Sequence, residues 1–139
     1  VNELGLQASP TWSTADANNT MSAWLDAFWA DDIEMIFCNN DGMAFGVIQA
    51  MQAKGVDIPI YGIDGLSEAL NKISNGDMNG TVIYNADGIA QGVIEVAVNV
   101  AFGNSPTAST DLIVNDNYDI PTIFIEHVIV TIDNVTEYQ

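Results

Sequence analysis

Arginine is absent from this chain of 139 residues, which carries only two lysines against 19 acidic side chains and has a formal net charge of −17 at pH 7. Clustered lysine and arginine are what binds phosphate groups, so this balance argues strongly against a nucleic-acid surface. It also disfavours an anionic membrane surface and an anionic substrate held by an arginine clamp. Such acidity is typical of halophilic or acidic extracellular settings, and composition does not choose between them.

Cysteine and histidine occur once each, as Cys38 and His127. A single cysteine excludes an internal disulfide and a metal site built from several cysteines. Because both residues lie in apolar runs, we expect an inert buried thiol and a structural imidazole rather than a nucleophile and its base. No stretch approaches the ~20 apolar residues of a membrane span, and no signal peptide opens the chain. At 48% hydrophobic, the chain is nevertheless too apolar for a disordered acidic tail.

Short apolar runs alternate with amphipathic stretches along the chain. The run 33–38 is typical of a strand buried on both faces, and Asp41 follows it as the expected cap of the next helix. Gly55 and Gly76 are the expected ends of two helices. The pattern predicts strands at 4–8, 33–38, 58–63, 81–84, 112–114 and 120–130, and helices at 15–30, 41–54, 66–75 and 88–102.

Strands that alternate with helices indicate βαβ units. We therefore predict an α/β fold with a doubly wound parallel sheet. Ligands of such sheets bind beyond the carboxyl ends of the strands. The segments that follow successive predicted strands, and in which a site is expected, are 10–13, 39–41, 64–66 and 84–87.

The first three of these segments carry side chains that suit a sugar, and each has a structural alternative. Trp12 is either packed as a lid on the core or offered as a flat stacking face. The Asn40 amide has a donor and an acceptor that match a pair of sugar hydroxyls, although it also suits a turn before a helix. Asp64 either caps the helix at 66–75 or accepts two hydroxyl protons of one ligand.

The remaining candidates leave further alternatives open. Tyr84 and Asn85, in the fourth segment, are able to bind a polar ligand and are equally suited to a turn. Asp41 and Asp64 would form a carboxylate pair, so a glycosidase is formally possible, but nothing in the sequence marks either one as an acid with a raised pKa. No pair of a nucleophile and a base emerges.

Five ordered stretches resemble one known family. Residues 33–50 read IEMIFCNNDGMAFGVIQA; residues 12–15 (WSTA) and 21–25 (MSAWL) precede them, and 58–64 (IPIYGID) and 80–82 (GTV) follow. This set resembles the galactose/glucose-binding proteins of bacterial ABC sugar importers, within the type I periplasmic-binding-protein superfamily. The resemblance covers residues 1–105 well and the remainder loosely.

The resemblance implies roles for particular residues. Trp12 stands where the family has the aromatic residue that stacks on the pyranose ring, and Asn40 and Asp64 stand where it has residues that bind sugar hydroxyls. The family's next polar ligand is an asparagine; here Tyr84 occupies that position and Asn85 follows, which leaves the identity of the sugar open. Glu34 stands at the position of a carboxylate that completes a calcium site in several members. Calcium would therefore bind the full-length protein only with ligands from an upstream loop.

The resemblance also implies a domain organisation. Residues 1–84 would form the core of the second domain of a two-domain protein, without its first strand and helix. Residues 85–120 would contain a hinge crossing and a return segment that packs on the absent first domain. Residues 121–139 would form the final crossing and the tail.

The implied function is binding without catalysis. A neutral monosaccharide of the galactose/glucose type would be held between two domains by hinge closure and delivered to an ABC permease. The expected location is periplasmic or extracellular, with an upstream lipid anchor and a chemoreceptor partner as open points. The alternatives are a ligand-sensing domain of a sugar-responsive regulator or chemoreceptor partner and, from another class, a sugar-processing enzyme.

Overall fold

The computed structural model describes residues 2–27, 32–108, 113–115 and 122–139, and the chain divides into two compact units. The first unit comprises Val1–Ile83 together with Ile129–Gln139, and the second comprises Tyr84–Val128. The chain therefore leaves the first unit after Ile83 and returns to it after Val128. The domain boundaries expected from the sequence, at residues 84 and 120, stay a prediction.

Helices and strands alternate through most of the chain. The helices are α1 (Thr14–Ala27), α2 (Asp41–Lys54), α3 (Ser67–Asn75) and α4 (Ala86–Ala101), and the strands are β1 (Ile36–Phe37), β2 (Ile60–Asp64), β3 (Gly80–Ile83), β4 (Ile113–Asn115), β5 (Thr122–Phe124) and β6 (Val128–Thr131). None of the helices in these described ranges has the length and apolar character needed to cross a membrane.

The first unit is built on a four-stranded sheet in the order β1-β2-β3-β6. Strands β1 and β2 are parallel, with Ile36 opposite Ile60, and β2 and β3 are parallel, with Asp64 opposite Ile83. Helices α2 and α3 make the connections that parallel pairing requires. The α/β fold with a parallel sheet predicted from the sequence is therefore confirmed.

Helices α1 and α2 approach to backbone contact because α2 has a glycine at the crossing. A Cβ on Gly46 would lie 2.9 Å from the carbonyl carbon of Thr14 and 3.0 Å from the backbone nitrogen of Asn18. The close approach permits two bonds between the helices: Thr14 Oγ1 donates to the Gly42 carbonyl at 2.8 Å, and Asn18 Nδ2 donates to the Gly46 carbonyl at 3.1 Å. These contacts fix the start of α1, and the loop before it, against the first turns of α2.

Helix α2 begins differently from the prediction. Its N-cap is Asn40, whose Oδ1 accepts a hydrogen bond from the Met43 backbone nitrogen at 2.7 Å. Asp41 is the first helical residue and is fully buried. The prediction that Asp41 caps this helix is wrong, because its carboxylate is directed to the backbone after β2 instead.

The two glycines predicted to end helices do so. Gly55 follows α2 with φ 68°, and Gly76 follows α3 with φ 83°. In both cases the left-handed conformation lets the glycine N–H bond a carbonyl of the last turn. The N-cap of α3 is Leu66, and no side chain caps this helix. The alternative that Asp64 caps it is therefore wrong.

The strand predicted at 4–8 does not form. Leu4 and Leu6 are exposed, and Gly5 lies against the Trp24 indole rather than beside another strand. An alternating apolar pattern produces a strand only where a partner strand is available to satisfy its backbone. In the described residues, this segment has none.

Strand β1 is shorter than the predicted run 33–38 and is buried on one face only. Ile36 and Cys38 are buried, whereas Met35 and Phe37 are 54% and 59% exposed. The prediction of burial on both faces is wrong. The alternation shows that only one face of this edge strand is packed within the described part of the chain.

The second unit contains α4 and a two-stranded antiparallel sheet of β4 and β5. The predicted strand 120–130 is in fact two strands, β5 and β6, separated by residues 125–127; residues 120 and 121 lie outside the described ranges. One side of α4 is open, where apolar side chains are 48–63% exposed: Val93, Ile94, Val98 and Val100.

Candidate functional site

The carboxyl ends of the parallel strands place two of the predicted binding residues at one edge of the sheet. Asn40 follows β1 by three residues, and Asp64 is the last residue of β2. Because β1 and β2 are parallel and paired, both residues lie at the same edge. Asn40 also joins this edge to the loop before α1, since its Nδ2 donates to the Trp12 carbonyl at 3.3 Å.

Trp12 presents an open aromatic surface. It is 57% exposed and has φ 56°, in the left-handed region that costs a residue with a side chain about 1–2 kcal/mol. Its neighbours hold the loop in place: the Thr11 hydroxyl donates to the Asp16 carboxylate, and the Asp16 backbone nitrogen donates to Ser13 Oγ at 3.2 Å. These bonds stabilise the loop while the indole itself stays uncovered.

Asn40 combines a structural role with spare hydrogen-bonding capacity. Its Oδ1 caps α2, and one N–H of its amide bonds the Trp12 carbonyl. A primary amide has two N–H donors and two acceptor lone pairs. One donor and one acceptor direction therefore remain for a ligand.

Asp64 combines exposure with a strained backbone. Its φ is 128°, a conformation that costs a residue other than glycine roughly 1–3 kcal/mol. The side chain is exposed, and within the described ranges no hydrogen bond or salt bridge reaches its carboxylate. Its oxygens are thus free to accept hydrogen bonds from a ligand.

Asp41 lies beneath this edge and was not expected to contact the turn after Asp64. Its Oδ1 accepts from Thr81 Oγ1 at 2.6 Å, and its Oδ2 accepts from the Leu66 backbone nitrogen at 2.8 Å. Burial raises the pKa of the Asp41 carboxyl above its ordinary value; the hydrogen bonds from Thr81 and Leu66 lower it, and the nearby charge of Asp64 raises it again. Asp41 is therefore a buried, bonded carboxylate beside an exposed, unbonded one.

Two glycines make room for this network. A Cβ on Gly62 would collide with Asp41 Oδ1 and lie 3.2 Å from Asp41 Cα. Gly65 has φ 76°, and a Cβ there would lie 3.0 Å from Ile83 Cα. Both positions therefore require glycine, one for the Asp41 carboxylate and the other for the turn after Asp64.

Tyr84 and Asn85 belong to the second unit, where they contact the segment that leads back to the first. The Tyr84 and His127 rings stack, with centroids 5.1 Å apart. Asn85 caps α4 through Gly88, and it also donates from its backbone nitrogen to His127 Nδ1 at 3.2 Å and from Nδ2 to the Glu126 carbonyl at 3.0 Å. These contacts give Asn85 and His127 structural roles; sugar binding by Tyr84 and Asn85 stays a prediction.

A cavity of about 580 Å³ lies within the second unit. Its lining is mostly aliphatic, with Tyr84 and His127 among its residues, but it does not include Trp12, Asn40 or Asp64.

Glu34 does not form a metal site within the described residues. It is exposed in the irregular segment before β1. No group of three or more histidine, cysteine or acidic side chains in the described ranges is arranged to hold an ion. Because calcium takes six to eight oxygen ligands, Glu34 would need ligands from elsewhere.

The comparison with known protein families decides the assignment. A family model described as a periplasmic binding protein domain matches residues 1–105. The chain belongs to this family. Residues 1–105 contain Trp12, Asn40, Asp64 and the Asp41 network.

Relatives of this periplasmic binding protein domain are named for the binding of a sugar or a sugar alcohol. The D-galactose/methyl-galactoside binding periplasmic protein MglB of Haemophilus influenzae is 42% identical over 99 residues, which cover 71% of this chain and 30% of that protein. The xylitol-binding protein of Mycolicibacterium smegmatis is 32% identical over 130 residues, covering 92% of this chain and 35% of that protein. The chain thus spans about a third of the length of these relatives.

Solved structures agree with the fold of this periplasmic binding protein domain. A carbohydrate transporter solute-binding protein of Chloroflexus aurantiacus, in complex with D-glucose, has a TM-score of 0.76 and 28% identity, covering 94% of this chain and 39% of that one. An ABC transporter solute-binding protein of Bacillus halodurans with bound myo-inositol has a TM-score of 0.70 and 29% identity, covering 98% and 42%. All four relatives are named as binding proteins and not as enzymes, in agreement with the prediction of a family without catalysis.

Some residues that shape this periplasmic binding protein domain were missed by the sequence analysis. Thr81 is a buried polar residue in the middle of the sheet, and Gly62 lies inside a strand. A buried hydroxyl needs a partner, and a glycine within a strand marks a close approach. These two signals together would have indicated that a polar group packs on the face of the sheet over β2 and β3.

Proposed function

We propose that this chain is part of a solute-binding protein of a sugar ABC importer, and that it binds a neutral monosaccharide at the carboxyl edge of its parallel sheet. The observation that carries the proposal is the combination of an exposed indole and two polar side chains at or joined to one edge: Trp12, Asn40 and Asp64. The apolar face of a pyranose ring would stack on Trp12, while Asn40 and Asp64 would replace the water around its hydroxyls.

The charge distribution supports a neutral ligand. Both lysines of the chain lie in the last turns of helices, Lys54 in α2 and Lys72 in α3, away from the helix starts that form the binding edge. Lys54 pairs with Asp26 at 2.5 Å, and Lys72 lies 3.7 Å from Glu68. No lysine or arginine is therefore available at this edge to balance a negative charge on a ligand, and the carboxylate of Asp64 would repel one.

The roles of the remaining parts follow from relatives of greater length. We infer that the first domain, which these residues do not contain, supplies the other side of the cleft. We also infer that closure takes place about the crossings next to Tyr84 and Val128, and that a permease receives the sugar. A periplasmic or extracellular location belongs to the same proposal, as does the preference for galactose or glucose. A chemoreceptor partner, a lipid anchor and a calcium ion at Glu34 are further predictions.

Isothermal titration calorimetry on the full-length gene product tests the proposal. The panel contains D-galactose, D-glucose, myo-inositol and xylitol, with D-gluconate as an anionic relative of matched size. We expect at least one neutral ligand to bind and D-gluconate to give no heat. The proposal would be contradicted if only D-gluconate bound, or if no neutral ligand bound.

A further inference from the structure

Asp41 is a buried charge to which sugar binding, as proposed above, assigns no part. It has no exposed surface, and both of its carboxylate oxygens accept hydrogen bonds from the protein. It reaches β2 only because Gly62 has no side chain. A charge in such a place is costly unless its bonds are worth more than its lost hydration, so the position of those bonds indicates what it does.

The bonds converge on the two backbone N–H groups that follow Asp64. The Leu66 nitrogen donates to Asp41 Oδ2 at 2.8 Å. The Gly65 nitrogen donates to Thr81 Oγ1 at 3.3 Å, and the same hydroxyl donates to Asp41 Oδ1 at 2.6 Å. Thr81 thus relays the Gly65 bond to the carboxylate, and Asp41 and Thr81 together hold both peptide units of the turn.

Asp64 depends on this turn for its orientation. Its side chain receives no hydrogen bond from the described residues, and its backbone is held at φ 128°. Gly65, next in the chain, is packed tightly against Ile83. A residue in a strained conformation keeps it only while the surrounding structure holds it. The groups that hold the backbone on the far side of Asp64 are those of the Asp41 network.

We propose that Asp41 and Thr81 are positioning residues for the sugar-binding carboxylate of Asp64. The inference rests on the proposed function, since a positioning role requires that Asp64 binds the sugar. The buried carboxylate and the threonine hydroxyl fix the turn, the turn fixes the backbone of Asp64, and the Asp64 carboxylate meets the ligand hydroxyls without having to be ordered on binding. Such preorganisation raises affinity without any contact between Asp41 and the sugar.

The test uses matched substitutions at Thr81. Asp41→Asn is not chosen, because it would place an amide NH2 group against the N–H donor of Leu66 and carries the risk of misfolding. Thr81→Val removes the hydroxyl and keeps the shape, whereas Thr81→Ser keeps the hydroxyl. Calorimetry with D-galactose and D-glucose on the full-length gene product measures the affinity. We expect Thr81→Val to weaken binding about tenfold, and Thr81→Ser to stay within about threefold of the parent protein.

A double-substitution cycle distinguishes positioning from general stability. If the network acts through Asp64, Thr81→Val will cause little further loss in an Asp64→Ala background, in which no side chain is left to position. Equal losses in both backgrounds would overturn the proposal. So would unchanged affinity in Thr81→Val.

Asn79→Ala is the control for destabilised strands. Asn79 Oδ1 accepts from the Ile60 nitrogen at 2.9 Å, at the opposite end of β2 and β3 from Asp64. We expect Asn79→Ala to lower the melting temperature and to leave affinity unchanged. A loss of affinity equal to that of Thr81→Val would overturn the positioning role. If the parent protein binds neither sugar, calorimetry refutes binding of these hexoses, and with it the positioning role. If the parent protein binds and Thr81→Val has the same affinity, only the positioning role is refuted.

Discussion

Substitution of Gly62 by alanine tests the close contact between Asp41 and strand β2. The added methyl group would collide with Asp41 Oδ1, lie 2.8 Å from Met78 Cε and lie 3.2 Å from Asp41 Cα. The Met78 side chain is able to turn away, but the start of α2 is not. Overpacking of this kind costs about 1–3 kcal/mol. Because Gly62 is not at positive φ, alanine recovers about 0.4–1 kcal/mol from the unfolded chain. We therefore expect a net loss of about 1–2 kcal/mol.

Gly42→Ala is the matched control. A Cβ at Gly42 would lie 3.6 Å from Asn40 Oδ1 and 3.9 Å from Thr14 Oγ1, which is ordinary contact. Alanine in the first turn of α2 should therefore leave stability unchanged or raise it by about 0.5–1 kcal/mol. Urea unfolding measures both changes in the free energy of unfolding. Each follows from the shift in the midpoint concentration of urea when the m-value is unchanged. If Gly62→Ala were as stable as Gly42→Ala, the Asp41 carboxylate would not lie against β2.

Three further predictions concern binding and stability. Trp12→Ala should weaken binding of the preferred neutral sugar by about 1–3 kcal/mol, while Trp12→Phe should retain most of the affinity. Calorimetry measures both affinities. A lowered melting temperature of Trp12→Ala with intact affinity would assign Trp12 to packing. Burial raises the pKa of the Cys38 thiol to about 11 from 9.0. The thiol of the unfolded chain ionises first, so the contribution of Cys38 to the free energy of unfolding is complete below pH 9 and is lost as the pH rises toward 11. Cys38→Ala should therefore reduce the decline in stability between pH 9 and 11. An unchanged slope in pH-dependent unfolding would contradict this prediction. Asn85→Ala removes the cap of α4 and the bond to the Glu126 carbonyl, and it should lower the free energy of unfolding by about 1 kcal/mol in the same assay. An unchanged free energy of unfolding would mean that water replaces both bonds.

The sequence was sufficient for elements whose signals are local. Helices α2 and α3 end at glycines that the pattern identified, and β2 and β3 lie within two residues of their predicted bounds. The strand predicted at 4–8 does not form and β1 is shorter than the run 33–38, because an apolar pattern does not say whether a neighbouring strand or a covering layer exists. Phe37 is exposed for that reason, although its sequence neighbours Ile36 and Cys38 are buried.

The site could be predicted only in part, and for the same reason. The rule that ligands bind at the carboxyl ends of parallel strands predicted the segments of Asn40 and Asp64, and the structure places both residues at one edge of the sheet. That they bind a ligand stays a prediction. The role of Asp41 could not be predicted, because its partners Leu66 and Thr81 are 25 and 40 residues away along the chain. A capping interaction is local and easily assumed, whereas a buried bond of this length depends on the packing of α2 against the sheet.

The two carboxylates at this edge also bear on the choice between binding and glycoside hydrolysis. A glycosidase needs two carboxyl groups that face the scissile bond, one to donate a proton and one to act as base or nucleophile. Asp64 is exposed and meets this requirement, but Asp41 has no exposed surface, and both of its oxygens already accept hydrogen bonds from the protein. The raised pKa of Asp41 therefore reflects burial beneath the site rather than a poised acid within it. With one carboxylate open to a ligand and the other committed to the turn below, the geometry favours a residue that binds hydroxyls over a pair that cleaves a bond.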